Sequence, residues 1–249
     1  MLTNTFLHIP GVGPATEKSL WAGGIRSWQD FIAAGPDLPF SCARREHMLS
    51  YLQLSQAALA AGNHAFFAKL LPAREHWRAF PEFSDRIAYL DIETTGMGGW
   101  AEITLIGIFD SAAYRAYLAD ADLHLFPGDI GSYSLLVTFF GTGFDLPFLR
   151  RAFPHLRMDQ LHIDLCFLAR RLGLRGGLKA IEERLGIRRS SSTTGLSGYD
   201  AVRLWREYLR GSEKALELLI EYNMEDVINM ECLLRFCYFQ MRSKLGFED

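Results

Sequence analysis

The sequence has no Cys-x-x-Cys pair, no long apolar run and no surplus of positive charge. Its four cysteines, Cys42, Cys166, Cys232 and Cys237, are scattered. That excludes a zinc ribbon or a disulfide framework and leaves them as expected buried small apolar residues. No apolar stretch reaches the roughly 20 residues that span a bilayer. The start, MLTNTFLHIPGVGP, lacks a basic segment followed by an apolar core, so no secretory signal and no membrane partner are expected, and the expected compartment is cytoplasmic. No repeat of about 20–50 residues is visible. With 26 Lys and Arg against 29 Asp and Glu, the net charge is −3. A polyanion, however, feels the local field rather than the average. From Arg150 to Arg189 ten Arg or Lys stand against four Asp or Glu, a run that reads either as a solvated face or as a phosphate-binding surface.

What is present is an ordinary globular balance of 49% hydrophobic and 22% charged residues over 249 positions, enough for one sizeable domain and a smaller appendage. Residues 1–38 carry two short helical patterns around a glycine-rich turn. Residues 39–83 read as a helical linker and packing arm: helical spacing from Cys42 to Ala61, a break at Gly62-Asn63, then an aromatic stretch punctuated by Pro72 and Pro81. The aromatics Phe66, Phe67, Trp77, Phe80 and Phe83 admit a base-stacking reading, but packing is the expected use. Residues 84–240 form the main domain. IAYLDIE, EITLIGIFD and AYRAYLA read as three strands with short links, an antiparallel meander. SLLVTFF is a fourth strand, followed by a helix from about Leu146, and LHIDL is a short fifth. The remainder is helical, broken at Gly173, at Gly176-Gly177 and by the polar loop RRSSSTTGLSG. The expected class is α/β, a mixed sheet flanked by helices with a small helical N-terminal region.

Three acidic segments stand out. Asp91 and Glu93 end an apolar strand two residues apart, so both carboxylates project from one face. Such a pair is either solvated at the strand terminus or neutralised by a hard cation such as Mg²⁺ or Mn²⁺. Asp145, in TFFGTGFD, sits at the start of the next helix, where an acid also serves as a cap. Gly141 and Gly143 before it either admit substrate backbone or shape the turn. Asp226 lies in a helical stretch four residues after Tyr222, so phenol and carboxylate share a helix face. Asp164 ends the fifth strand and reads best as a helix cap.

In order and spacing, DIETTG at 91–96, FGTGFD at 140–145 and YNMED at 222–226 resemble the three motifs of DnaQ-like (DEDD) 3′→5′ exonucleases, which have the ribonuclease H-like fold. The resemblance is strongest to the YprB-like branch, related to the proofreading domain of family B DNA polymerases. It covers roughly residues 64–240, with WRAFPEF and GYDAVRLWREYLRG included. It implies that Asp91, Glu93 and Asp226 bind metal directly and that Asp145 does so directly or through water. Tyr222 implies the tyrosine subclass, in which the phenol positions the attacking water. The histidine subclass is excluded by Glu221, five residues before the last Asp. Two Mg²⁺ or Mn²⁺ ions are implied, which would activate water and neutralise the departing oxyanion. The implied partner is a single-stranded DNA or RNA end, with Thr94 and Lys179 as contacts and Arg170, Arg171 and the Arg188-Arg189 pair as further phosphate candidates. One residue departs from the pattern: relatives usually carry Asn where this chain has Phe140, which bears on substrate preference and rate.

FLHIPGVGPATEKSLWAGGI resembles a helix-hairpin-helix element, with Ile9, Gly11, Val12 and Gly13 in the hairpin and Leu20 and Ile25 as supporting apolar positions. Backbone N–H groups at such glycines bind phosphate without reading sequence. Glu17 beside Lys18 implies a face less basic than that of a strong DNA binder. Two other functions use the same residues: a structure-selective endonuclease, and a nucleic-acid-end binding module with little turnover. None of these features sets the oligomeric state.

Overall fold

The structure, a computed structural model, describes residues 1–247. The chain divides into two compact units, Met1–Asp85 with Asp159–His162, and Arg86–Met158 with Ile163–Asp249.

In the first unit, helices α1 (Pro14–Ala22), α2 (Trp28–Ala34), α3 (Cys42–Ala60) and α4 (His64–Leu70) follow one another, then two 3-10 segments beginning at Ala73 and Pro81. The starts are set locally. Ser27 Oγ accepts the Asp30 N–H at 3.1 Å, and Asn63 Oδ1 accepts that of Phe66 at 3.2 Å, each satisfying an N-terminal donor with no intrahelical partner. α1 and α2 flank Gly23-Gly24, and the chain before Gly11-Val12-Gly13 holds a single 3-10 turn, Leu2–Asn4. Phe67, Trp77, Phe80 and Phe83 are buried, so these aromatics pack a core rather than offer a stacking surface. Beneath them lies a charged knot. Arg78 donates from Nη1 to Glu17 Oε2 at 3.1 Å and from Nε to Glu75 Oε2 at 2.8 Å, while Glu17 Oε1 accepts from the Thr5 hydroxyl and the Phe6 N–H. Glu17 is therefore buried and does not sit beside Lys18 on the exposed face of α1; the distant Arg78 decides this, and helical position alone does not.

The second unit holds the sheet, apart from Leu161 and His162 of its last strand, which fall in the first. Strands β1 (Ile87–Thr94), β2 (Ile103–Phe109), β3 (Tyr114–Leu118), β4 (Leu135–Thr138) and β5 (Leu161–Asp164) lie in the order β3-β2-β1-β4-β5. β1, β2 and β3 pair antiparallel, and β4 pairs parallel to β1. The tight β2–β3 link is made by Asp110, whose Oδ1 accepts the N–H groups of Ala112 at 3.0 Å and Ala113 at 2.8 Å, with Ser111 at φ 71°. Helices α5 (Phe126–Ile130) and α6 (Asp145–Ala152) pack one face, over Ala88, Leu90, Ile92, Ile106 and Ile108. The other face meets α9 (Gly198–Tyr208) and the 32-residue α10 (Glu213–Lys244) through Leu105, Leu204, Leu219 and Tyr222. Helices α7 (Leu165–Arg171) and α8 (Leu178–Leu185) complete the unit. The start of α6 falls within one residue of its expected place, but the expected burial of all four cysteines needs correction. Helix α6 begins at Asp145 itself, and Cys42 and Cys232 are exposed, leaving only Cys166 and Cys237 buried. Cys42 opens α3 facing solvent, where its thiol donates to Glu46 Oε1 at 3.2 Å. Among the described residues no helix is long and apolar enough to cross a membrane.

Truncating Arg78 strips buried Glu17 of its cation and leaves buried Glu75 with only the solvent-exposed Arg74, at 3.7 Å. Arg78→Ala is expected to cost about 3–5 kcal/mol, seen as a lowered urea midpoint by tryptophan fluorescence. An unchanged midpoint would mean that the knot is energetically neutral.

Candidate metal centre

Strand alternation sends Leu90 and Ile92 into the core under α5 and α6 and turns Asp91 and Glu93 toward α10. Asp226 comes down from α10, and one carboxylate oxygen from each of Asp91, Glu93 and Asp226 lies within 4.8 Å of the others. Asn223, one helical turn before Asp226, locks the arrangement. Its Nδ2 donates to Asp91 Oδ2 at 2.9 Å, and its Oδ1 accepts the Tyr114 hydroxyl at 3.0 Å. Gly107, opposite Asp91 in β2, makes room for it, because a Cβ there would stand 1.7 Å from Asn223 Oδ1. Neither residue was singled out from sequence. Asn223 was legible within YNMED, since i and i+3 share a helix face; Gly107 was not.

Asp145 approaches from the other side of β1. β4 pairs with β1 only as far as Tyr89, and beyond that point the Ile92 N–H donates to Asp145 Oδ1 at 3.1 Å. Asp145 is thus buried at the first position of α6 with its carboxylate bonded to the strand. Asp164 does cap α7, accepting the Cys166 N–H at 3.1 Å, and it also accepts the N–H groups of Phe140 at 2.9 Å and Thr142 at 3.0 Å. It therefore clamps the loop that leads to Asp145. Within that loop a Cβ on Gly141 would strike the Thr138 side chain and one on Gly143 the Phe140 ring. These glycines shape the turn. Phe140 holds φ 65°, a left-handed conformation that suits Asn and strains Phe. Its half-exposed ring lies 6.3 Å from that of Phe167.

The electrostatics follow from crowding. Burial, then the neighbouring carboxylates, holds Asp91 well above the usual range. Burial and Asp226 push Glu93 up to about 8, and burial raises Asp145 to about 7. Asp226 is also raised by burial, against the pull of Lys179 and Arg189. Lys179 Nζ donates to the Tyr222 hydroxyl at 2.5 Å. Burial and the carboxylates push the Tyr222 phenol upward, so it stays neutral. Arg189 is not an open phosphate contact: its guanidinium is spent on Glu182 and Asp226. Arg170 lies over the Phe167 ring, and Arg188 is exposed. Thr94 is buried and its hydroxyl donates to the Gly96 carbonyl at 2.7 Å. Gly11, Val12 and Gly13 belong to the first unit. There Val12 is buried, and Gly13 precedes Pro14, the first residue of α1, which has no N–H to offer.

A cluster of one half-buried and two buried carboxylates that repel one another suits a hard divalent cation. Asp91, Glu93 and Asp226 would hold such a cation. A sequence profile of the RNase H superfamily matches residues 88–238, from β1 into α10. The chain belongs to the RNase H superfamily. Among solved structures it is similar to the family B DNA polymerase of the hyperthermophilic archaeon Pyrobaculum calidifontis, at 14% identity and TM-score 0.49, over 60% of this chain and 24% of that one. It is also similar to the Aedes aegypti Nibbler EXO domain, at 12% identity and TM-score 0.40, over 69% of this chain and 90% of that one. The chain therefore spans about a quarter of the polymerase's length. No curated protein matches. In this member of the RNase H superfamily the mixed sheet and the candidate carboxylate site coincide with the matched span.

Because Glu93 and Asp145 are held above their usual values of 4.5 and 3.8, they stabilise the fold at low pH, and that contribution drains as pH rises toward about 8 and 7. In EDTA the Tm should fall between about pH 5 and 8, and Mn²⁺ should restore it most at the alkaline end. Equal Mn²⁺ shifts at both ends would contradict this. Gly107→Ala forces Asn223 off Asp91, with an expected loss of about 1–3 kcal/mol and weaker Mn²⁺ binding, checked by thermal shift and Mn²⁺ titration.

Proposed function

We propose that this chain is a metal-dependent 3′→5′ exonuclease that hydrolyses phosphodiester bonds at single-stranded nucleic acid ends, DNA in preference to RNA. The observation that carries the proposal is the convergence of Asp91, Glu93 and Asp226 within 4.8 Å on a buried sheet face. Asp145, fixed beside the same strand by the Ile92 N–H, joins them directly or through water. When bound, two divalent ions supply a water of lowered pKa and charge neutralisation on both sides of an in-line displacement. Tyr222 supplies the next element. Lys179 occupies a lone pair of its oxygen, so the neutral phenol keeps its own proton to orient the attacking water. The half-exposed Phe140 and Phe167 rings favour a single-stranded substrate, since unpaired bases stack on aromatic rings without regard to sequence. The preference for DNA rests on the resemblance of residues 1–38 to a helix-hairpin-helix element, with Gly11, Val12 and Gly13 as phosphate contacts.

The test is digestion of 5′-labelled and 3′-labelled DNA and RNA strands with Mg²⁺ or Mn²⁺, beside an EDTA control. A metal-dependent ladder from the 5′ label with early release of the 3′ label is expected. Asp226→Ala and Asp145→Ala should each lower the rate by roughly two orders of magnitude or more without unfolding the chain. Internal cuts would replace the exonuclease by an endonuclease, and binding without cleavage would leave an end-binding module.

A further inference from the structure

We propose that Arg189 is a positioning residue that holds Asp226 in place and weakens the affinity of the carboxylate cluster for divalent metal. This rests on reading that cluster as the metal site. Arg189 makes a two-pronged pair with Glu182 of α8, Nε to Oε2 at 2.6 Å and Nη2 to Oε1 at 2.8 Å, and Nη2 also donates to Asp226 Oδ1. The three side chains are 7%, 2% and 10% exposed. Among the described residues Arg189 Nη1 is buried with no hydrogen-bond partner, a cost that the guanidinium would shed by turning outward.

The following loop keeps it inward. The Ser190 N–H donates to Glu225 at 2.7 Å, the Ser190 and Ser192 hydroxyls donate to Glu221 at 2.8 and 2.6 Å, and the Thr193 hydroxyl donates to Glu225. Glu221 and Glu225 are one turn apart on α10, and each immediately precedes a site residue, Tyr222 and Asp226. The acids of YNMED and its flank thus divide their labour: Asp226 faces the cluster, while Glu221 and Glu225 staple to α10 the loop that delivers Arg189.

A guanidinium on a ligand carboxylate has two effects of opposite sign. It restricts the carboxylate to one orientation, which favours a productive site. Its positive charge also competes with an incoming dication for the same oxygen. Removing it should tighten metal binding and slow turnover together, whereas a residue that merely held the fold would weaken both.

The experiment is Mn²⁺ titration of the intact chain, followed by the EPR signal of free Mn²⁺, for wild type, Arg189→Gln, Arg189→Lys and Ser192→Ala, with kcat measured in parallel. Arg189→Gln is expected to bind Mn²⁺ about tenfold tighter with a lower kcat, and Arg189→Lys should lie between it and the wild type. Ser192→Ala, which removes one of the loop's four bonds to α10 without touching the cluster, should shift the affinity the same way by about threefold, and it serves if Arg189→Gln does not fold. Unchanged or weaker Mn²⁺ binding in the folded variants, with a wild type that does bind, overturns the role of Arg189 alone. A wild type that binds no Mn²⁺ overturns the metal reading and this proposal with it.

Discussion

Three carboxylates brought within 4.8 Å of one another lose solvation and repel, and burial above all holds them and the adjacent Asp145 above their usual range. Much of the second unit reads as a response to that constraint. The Asn223 amide ties Asp91 to α10, the Ile92 N–H holds Asp145, and Lys179 and Arg189 bring positive charge. A divalent cation is the ligand that best relieves what remains.

The sheet makes this geometry available. β1 lies in its middle, between β2 and β4, so its alternate side chains serve the apolar layer under α6 and the charged face under α10. β4 stops pairing at Tyr89, and the N–H left beyond it receives Asp145 from a helix on the opposite layer. Asp164 at the end of β5 holds the Phe140–Thr142 backbone that aims this helix. The strained Phe140 thus sits in a loop whose backbone is already committed, and its ring, with that of Phe167, remains half-exposed.

Much of this was legible in the chain. Alternation in IAYLDIE and spacing in YNMED place their acids on single faces, and short links between three apolar runs imply a meander, because such patterns depend only on periods of 2 and 3.6 residues. Asn223 stands beside Tyr222 in YNMED, but an amide carries no charge to mark it. Glu17 and Arg189 look accessible in the sequence for a different reason: their partners, Arg78 and Glu182 with Asp226, include residues distant along the chain. Gly107 had no local signal at all, since its role is the space it leaves for a helix more than a hundred residues later.

The sequence by itself determined the class of the fold and which acids share each face, since strand and helix periods are local properties of the chain. Tertiary structure decided which faces meet, which N–H group Asp145 receives, which cation rests on Asp226 and which acids are buried. Those outcomes depend on the packing of distant segments and on the desolvation it imposes, and neither is encoded in the spacing of neighbouring residues.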